Sequence, residues 1–271
     1  MFLLEIGRVY KMNPLMRSCF IMLLSAAMLL CGSSLSFANG DVDFSYRYWL
    51  SSIDAQSGPA VVGSASVDMV DAKDALGIQD ENIGDFQLDW HIDHTHKVQL
   101  NYFSSAVSGT AVPNMRINGW DLTAGTFHTE VSIKNFQAAY VRYFDNELTP
   151  DKRYGLILGL RNVRVNADST QLDGSLRFTK DFNLNFPTVG FTVETGLTGK
   201  LQGFAGLSGA YAGSRGYFYD GEAGLRTYLD KKHDVSLTAG YRLLKVKAEK
   251  SNGDKLDAKL SGPFFAASYR F

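Results

Sequence analysis

Residues 42–50 read Val42-Asp43-Phe44-Ser45-Tyr46-Arg47-Tyr48-Trp49-Leu50. Val42, Phe44, Tyr46, Tyr48 and Leu50 share one side of a two-residue repeat, and Asp43, Ser45, Arg47 and Trp49 share the other. Successive side chains of a strand point to opposite faces, so the stretch is a strand with one apolar and one largely polar face. Wound as a helix, the same residues would scatter both sets around its circumference. The pattern recurs outward from here. Phe86, Leu88, Trp90 and Ile92 oppose Gln87, Asp89 and His91, and Val98, Leu100 and Tyr102 oppose Gln99 and Asn101. Val189, Phe191, Val193 and Leu197 oppose Thr188, Thr192 and Glu194. Tyr217, Tyr219, Ala223 and Leu225 oppose Asp220, Glu222 and Arg226. Val235, Leu237, Ala239, Tyr241 and Leu243 oppose Ser236, Thr238 and Arg242. Segments near 131–144, 154–165, 201–211 and 256–271 complete ten. Parity is ambiguous at 131–144, where a bulge would shift it.

No apolar run reaches the roughly 18 residues that a membrane helix needs, so a bundle of membrane helices is excluded. That rule does not reach strands, each of which is only half apolar. The 271 residues carry a net charge of −1, without the basic footprint of a nucleic-acid binder. A charged fraction of 20% with 13% aromatic residues argues against disorder.

The first segment reads as an address. Arg17 precedes an apolar run from Cys19 to Leu30, and Ser36-Phe37-Ala38 ends it as a small-x-Ala cleavage site. We expect a signal peptide over 1–38, with Met12 or Met16 as the alternative start, and a mature domain over 39–271. Cys31 follows Leu30, where a lipoprotein needs a small residue. The leader holds Arg8, Lys11 and Arg17 against Glu5, so its removal takes the net charge from −1 to −3. Cys19 and Cys31 leave with it, and the mature domain has no disulfide framework.

Connector lengths alternate between the ten segments. Those at 93–97, 146–153, 198–200 and 230–234 are short; those at 52–84, 105–126 and 166–183 are long; those at 212–216 and 249–255 are intermediate. An even strand count puts both termini beside the short turns, which is the layout of a closed antiparallel transmembrane β-barrel. Ten strands is our reading, with eight and twelve as the neighbouring even counts. A soluble β-sandwich or lipocalin-like barrel would bury the apolar face and expose the polar one. Here Gly155, Gly159, Gly190, Gly206, Gly224 and Gly240 fall on the polar side, as a narrow, crowded lumen requires. Phe265, Ala267, Tyr269 and Phe271 then alternate up to the terminal aromatic residue. This ending resembles the C-terminal strand of bacterial outer-membrane β-barrel proteins, and with the leader and the turn asymmetry the resemblance covers all of 39–271. It implies a monomeric, porin-like barrel in the outer membrane of a Gram-negative cell envelope. Its partners would be outer-membrane lipids and, during biogenesis, the barrel-assembly machinery, which reads Phe265, Tyr269 and Phe271. No nucleic acid, cofactor or metal is implied.

Arg47, Arg161, Arg226 and Arg242 oppose Asp89, Glu194, Asp220 and Glu222 among the inward-facing charges. Unpaired charges in a narrow lumen are costly, so a salt-bridged network is expected. Glu222 and Arg226, four residues apart, should each reach an opposite charge on a neighbouring strand. A filled lumen suits a structural or surface-interaction barrel, and a wet one suits a narrow channel for small solutes. A rim enzyme acting on lipid or peptide is the third reading, and here we expect no enzyme. His128, Glu130 and Ser132 share one face and offer a nucleophile and a base. Outer-membrane lipases and lipid A deacylases carry His-x-Ser, which no histidine here begins. Omptin-type proteases, also ten-stranded, need acidic pairs and an Asp-His couple at the outer rim, whereas Asp93-His94 lies in a short turn at the other end. Asp89, His91, Asp93, His94 and His96 have metal-ligand chemistry, but a short turn does not oblige them to converge. The segment 52–84 and the Asp85 that follows it are acidic, with Asp68, Asp71, Asp74, Asp80, Glu81 and Asp85 against Lys73. Met69, Ala72 and Leu76, followed by Gly77, suggest one short amphipathic helix capping the mouth. Asp80-x-Asn82-x-Gly84 departs from a calcium loop at its third ligand, so a solvated acidic loop is expected.

Overall fold

The computed structural model describes residues 40–271 except 63–64, 118–119, 124, 146–150, 212, 214–215 and 250–252. The expected signal peptide over 1–38 lies outside the described residues. In chain order the elements are β1 (Asp41–Leu50), β2 (Ser52–Gly58), β3 (Ala60–Val62), β4 (Ala65–Val67), β5 (Val70–Asp71), α1 (Ala72–Leu76), β6 (Asn82–His91), β7 (His96–Ala111), β8 (Met115–Ile117), β9 (Trp120–Leu122), β10 (Phe127–Asp145), β11 (Lys152–Gln171), β12 (Arg177–Gly196), β13 (Leu201–Tyr211), β14 (Gly216–Tyr228), β15 (Val235–Glu249) and β16 (Lys255–Arg270). Ten of these strands form the wall, in the order β1-β6-β7-β10-β11-β12-β13-β14-β15-β16, every neighbour antiparallel. The wall closes where Asp43–Trp49 of β1 pair with Phe264–Arg270 of β16.

β10, β11 and β12 run for 19, 20 and 20 residues. A tilted strand crosses a bilayer in about 9–11 residues, so half of each strand stands clear of the membrane. The side chains record the level at which this happens. Along the lower half of the wall Phe136, Leu158, Leu160, Val189, Phe191 and Tyr241 are exposed on the outside, while Gln137, Arg161, Thr188 and Arg242 are buried inside. Above Arg161 both faces reverse. Val163 and Val165 on β11, Ile133 on β10, Phe182 and Phe186 on β12 and Leu244 and Val246 on β15 are buried inside. Lys134, Glu130 and His128 then take the outer face of β10, and Asn185 and Asp181 that of β12. Water replaces lipid outside at that level, so the apolar residues move inside, as in a soluble barrel.

This reversal explains the ambiguous parity of 131–144. No bulge is present, because β10 pairs without a skip from Phe127↔Gln171 to Asp145↔Arg153 on one side and from Phe127↔Ala111 to Arg142↔His96 on the other. The polar set changes face while the backbone keeps its register. For the same reason the segments expected as long connectors at 105–126 and 166–183 are in large part strand. β7 continues to Ala111, and β11 and β12 meet in a turn at 172–176.

The segment 52–84 is also structured. β2 extends the line of β1 and pairs with Lys255–Ser261 of β16. Opposite the step between β1 and β2 stands Gly262, where a Cβ would lie 1.9 Å from the Leu50 carbonyl oxygen. α1 begins after Met69, with Asp71 as its cap accepting from the Lys73 and Asp74 amides at 2.9 and 3.1 Å. Gly77 ends it in the left-handed conformation at φ 68°, and its buried face is Ala72 and Leu76. α1 packs on β2, β7 and β10, closing the mouth. Beside it β4-β3-β8-β9 form a small antiparallel sheet from two upper loops, with Ile117 and Leu122 buried beneath.

Candidate functional site

The inward row of each strand delivers its polar groups to one layer, just below the level where the interior turns apolar. Arg242 on β15 donates through Nη1 to Asp85 on β6, and through Nε and Nη2 to Asp220 on β14 at 3.0 and 2.8 Å. Asp220 also accepts from Arg161 of β11 at 2.7 Å, and Arg161 reaches Gln137 of β10. Asp85 accepts from Asn101 of β7, whose Oδ1 accepts from Asn135 at 3.2 Å. Arg47 on β1 donates to Glu222 of β14 at 2.7 Å and to Gln87 at 3.0 Å, and stands 3.7 Å from Asp85. Around the wall β11 is three strands from β14, and β15 is three strands from β6. The bonds therefore run across the lumen as well as along it. Asp85 is fully buried and the Arg242 side chain is 3% exposed.

A second group lies nearer the short turns. Lys97 pairs with Asp89 at 3.3 Å, and Gln87 donates to Asp89. Glu194 accepts from Tyr143 at 2.8 Å and from Gln202 at 3.3 Å, with Arg153 at 3.7 Å. Arg226 makes no ion pair within 4 Å among the described residues. Its guanidinium sits 5.7 Å over the Phe204 ring, with Glu194 as its main opposing charge. The sequence-based expectation for Glu222 and Arg226 is thus corrected. Glu222 reaches across to β1, three strands away, and Arg226 has no carboxylate within 4 Å among the described residues, with Tyr228 as its side-chain partner. In a barrel this narrow, long inward side chains reach non-adjacent strands as well as their neighbours.

Aromatic rings cover the upper surface of the charged layer. Arg242 lies 5.2 Å from the centre of Trp49, Arg161 4.4 Å from Phe218 and Arg47 4.5 Å from Phe264. Such cation–ring contacts are worth about 0.5–2 kcal/mol each. Trp49 donates Nε1–H to the Gly262 carbonyl at 3.1 Å, and Phe186 stacks on Phe218 at 5.6 Å. The inward glycines make room for these groups. A Cβ on Gly240 would lie 2.8 Å from the Phe264 ring, and one on Gly155 would lie 2.8 Å from Thr192.

An apolar outer belt, a polar lumen and a closed antiparallel wall define a membrane-spanning barrel. The outer-membrane protease OmpT from Escherichia coli has the same architecture, with a TM-score of 0.61, 10% identity, and coverage of 88% of this chain and 99% of that one. The chain has the outer-membrane β-barrel fold. Ail of Yersinia pestis, in complex with the heparin analogue sucrose octasulfate, matches with a TM-score of 0.39 at 10% identity, covering 86% of this chain and 99% of that one. Neisserial surface protein A matches with a TM-score of 0.33 at 13% identity, covering 86% and 97%. No protein-family model matches the chain, and no curated protein matches it. At these identities the likenesses concern the fold alone.

The remaining sequence-selected groups of this outer-membrane barrel are dispersed. His91 bonds Asp43 inside the wall at 3.2 Å, whereas His96 bonds and stacks on Tyr140 outside it. Asp93 accepts from the Thr95 and His96 amides at 2.7 and 2.8 Å, and these bonds hold its carboxyl below the usual carboxylate range. His128, Glu130 and Ser132 lie on the outer face of β10, with His128 3.1 Å from Thr110. Asp80 accepts from the Ile53 amide and from Lys73, both at 2.7 Å, and Gly84 lies within β6, so Asp80-x-Asn82-x-Gly84 does not form a loop around an ion. Phe265, Tyr269 and Phe271 are exposed in one outward row, and the Phe271 amide donates to the Val42 carbonyl at 2.9 Å.

Sequence reasoning missed two central charges. Asp85 was assigned to the acidic loop, although it shares its parity with Gln87 and Asp89 and that parity points inward. Lys97 falls in the connector 93–97 by sequence, yet it shares parity with Gln99 and Asn101. Strand alternation carried through both segment ends was the signal that could have found them.

Proposed function

We propose that the protein is a sealed membrane anchor that holds its capped upper barrel outside the cell as an interaction surface, and that it is not a conduit. The observation that carries this reading is the bonded chain Gln137–Arg161–Asp220–Arg242–Asp85–Asn101, which joins six strands through the middle of the lumen. An ion passing this level would have to break charge-assisted bonds that water does not replace, at a cost of several kcal/mol. A polar cavity of about 930 Å³, counting open solvent, adjoins the layer and includes Asp89, Lys97, Glu194 and Arg226 in its lining. It supports a hydrated lower lumen beneath a closed one. The reading includes no catalytic step, and the His128–Ser132 face points away from the interior.

Planar-bilayer recording of the refolded protein tests the reading. We expect no resolvable wild-type current and new conductance steps in Arg242→Ala, where the central bridge is gone. Steady unitary currents from wild type, unchanged in Arg242→Ala, would favour the narrow channel and overturn the anchor.

A further inference from the structure

Above the charged layer the barrel holds an apolar cavity beneath α1, part of it open to solvent. Its lining mixes the small Ala55, Ala167 and Ala258 with larger residues such as Ile133, Phe182 and Leu260. One level lower the same barrel fills its lumen with arginines and aromatic rings. Folded interiors leave few voids, and an unfilled apolar cavity lowers stability in proportion to its volume. Ala72 and Leu76 of α1, with Ile117, form its roof.

The charged side chains in its lining are two lysines, Lys73 and Lys180, both partly open to solvent at 26% and 24%. Each already has one carboxylate partner, Asp80 at 2.7 Å and Asp254 at 2.8 Å. An ammonium has three donors, so both retain donors for an incoming acceptor.

We propose that this chamber binds a single-chain amphiphile with a carboxylate head, of the long-chain fatty acid class, its tail among the short aliphatic side chains and its head at Lys73 and Lys180. A dry apolar pocket favours the hydrocarbon, and a charge-assisted bond to lysine selects the carboxylate over a neutral head. The site stands independently of whether the charged layer below conducts.

The test is a titration with the fluorescent fatty acid cis-parinaric acid, using the full barrel refolded and exchanged into amphipol so that no detergent competes. We expect saturable binding near one per barrel in wild type. Ala167→Phe and Ala258→Phe, each filling the chamber from a different strand, should weaken it at least tenfold. Both variants are compared only in fractions that keep heat-modifiable gel mobility, and Arg226→Ala, outside the chamber, should bind as wild type does. Palmitate should displace the probe at least tenfold more effectively than hexadecanol, and Lys180→Met should erase that preference while keeping tail binding. Absence of a saturable component, or binding that survives both filling variants, overturns the site. Equal displacement by palmitate and hexadecanol overturns the assignment of the head.

Discussion

Replacing Arg242 by alanine removes the cation on which both walls of the lumen converge. Its guanidinium serves Asp85 through one nitrogen and Asp220 through two, and lies over Trp49 and Phe103 at 5.2 and 5.9 Å. Breaking a buried pair by deleting one partner costs about 3–5 kcal/mol, because the other charge stays buried and uncompensated. Here neither carboxylate is left alone. Asp220 keeps Arg161 at 2.7 Å, and Asp85 keeps Asn101 with Arg47 at 3.7 Å. We therefore place the loss at the lower end, about 3 kcal/mol. Arg242→Met keeps most of the stem against the rings and should recover the packing part, roughly 1 kcal/mol, but not the charge. Arg226→Ala is the internal comparison. Among the described residues Arg226 has no ion pair within 4 Å, and Glu194 retains Tyr143, Gln202 and Arg153 without it, so its loss should cost about 1 kcal/mol or less. Equilibrium unfolding in urea, followed by tryptophan fluorescence of detergent-refolded protein, gives all three values. A loss for Arg242→Ala within 0.5 kcal/mol of wild type, or one smaller than that of Arg226→Ala, would falsify the view that the central bridge holds the lumen together.

Unboiled protein should migrate differently from boiled protein in detergent gels, since the wall closed by β1 and β16 has no free edge from which to unravel. Identical mobility would contradict closure. Deleting Phe271, which ends the exposed row of Phe265 and Tyr269, should reduce outer-membrane assembly in cells more than refolding in detergent; normal cellular assembly would remove the case for an assembly signal. Asp80 ties α1 to β2, and the Ile53 amide and Lys73 hold its carboxyl below the usual range. Its contribution is therefore complete above the ordinary carboxylate pKa and lost as pH falls through the lowered value. Asp80→Asn at neutral pH, or acidification of wild type below about pH 4, should speed proteolysis between residues 58 and 82; cleavage indifferent to both would sever Asp80 from the lid.

Strand alternation alone determined most of the membrane part. Val42–Leu50 and the segments like it had to be strands, because only a two-residue repeat separates Phe44, Tyr46 and Tyr48 from Asp43, Ser45 and Arg47. Short connectors at one end, inward glycines and an even count left little besides a closed barrel in lipid. Of the eight lumen charges that the sequence names, all but Arg226 stand within 4 Å of an opposite charge among the described residues, since parity says which way a side chain faces. Parity does not say how far a side chain reaches. That Glu222 crosses to Arg47, that Asp85 sits between Arg242 and Asn101, and that Arg226 has no carboxylate within 4 Å among the described residues are consequences of barrel diameter and stagger, which arise only when ten strands close. The upper barrel was hidden for a different reason. Alternation is read against one assumed solvent, and above Arg161 the solvent outside changes from lipid to water. Residues 104–111, 127–134, 162–171 and 177–186 keep their strand geometry while their apolar and polar faces exchange. Only the folded wall, which aligns that exchange at one height on every long strand, shows where the membrane ends and the apolar chamber begins.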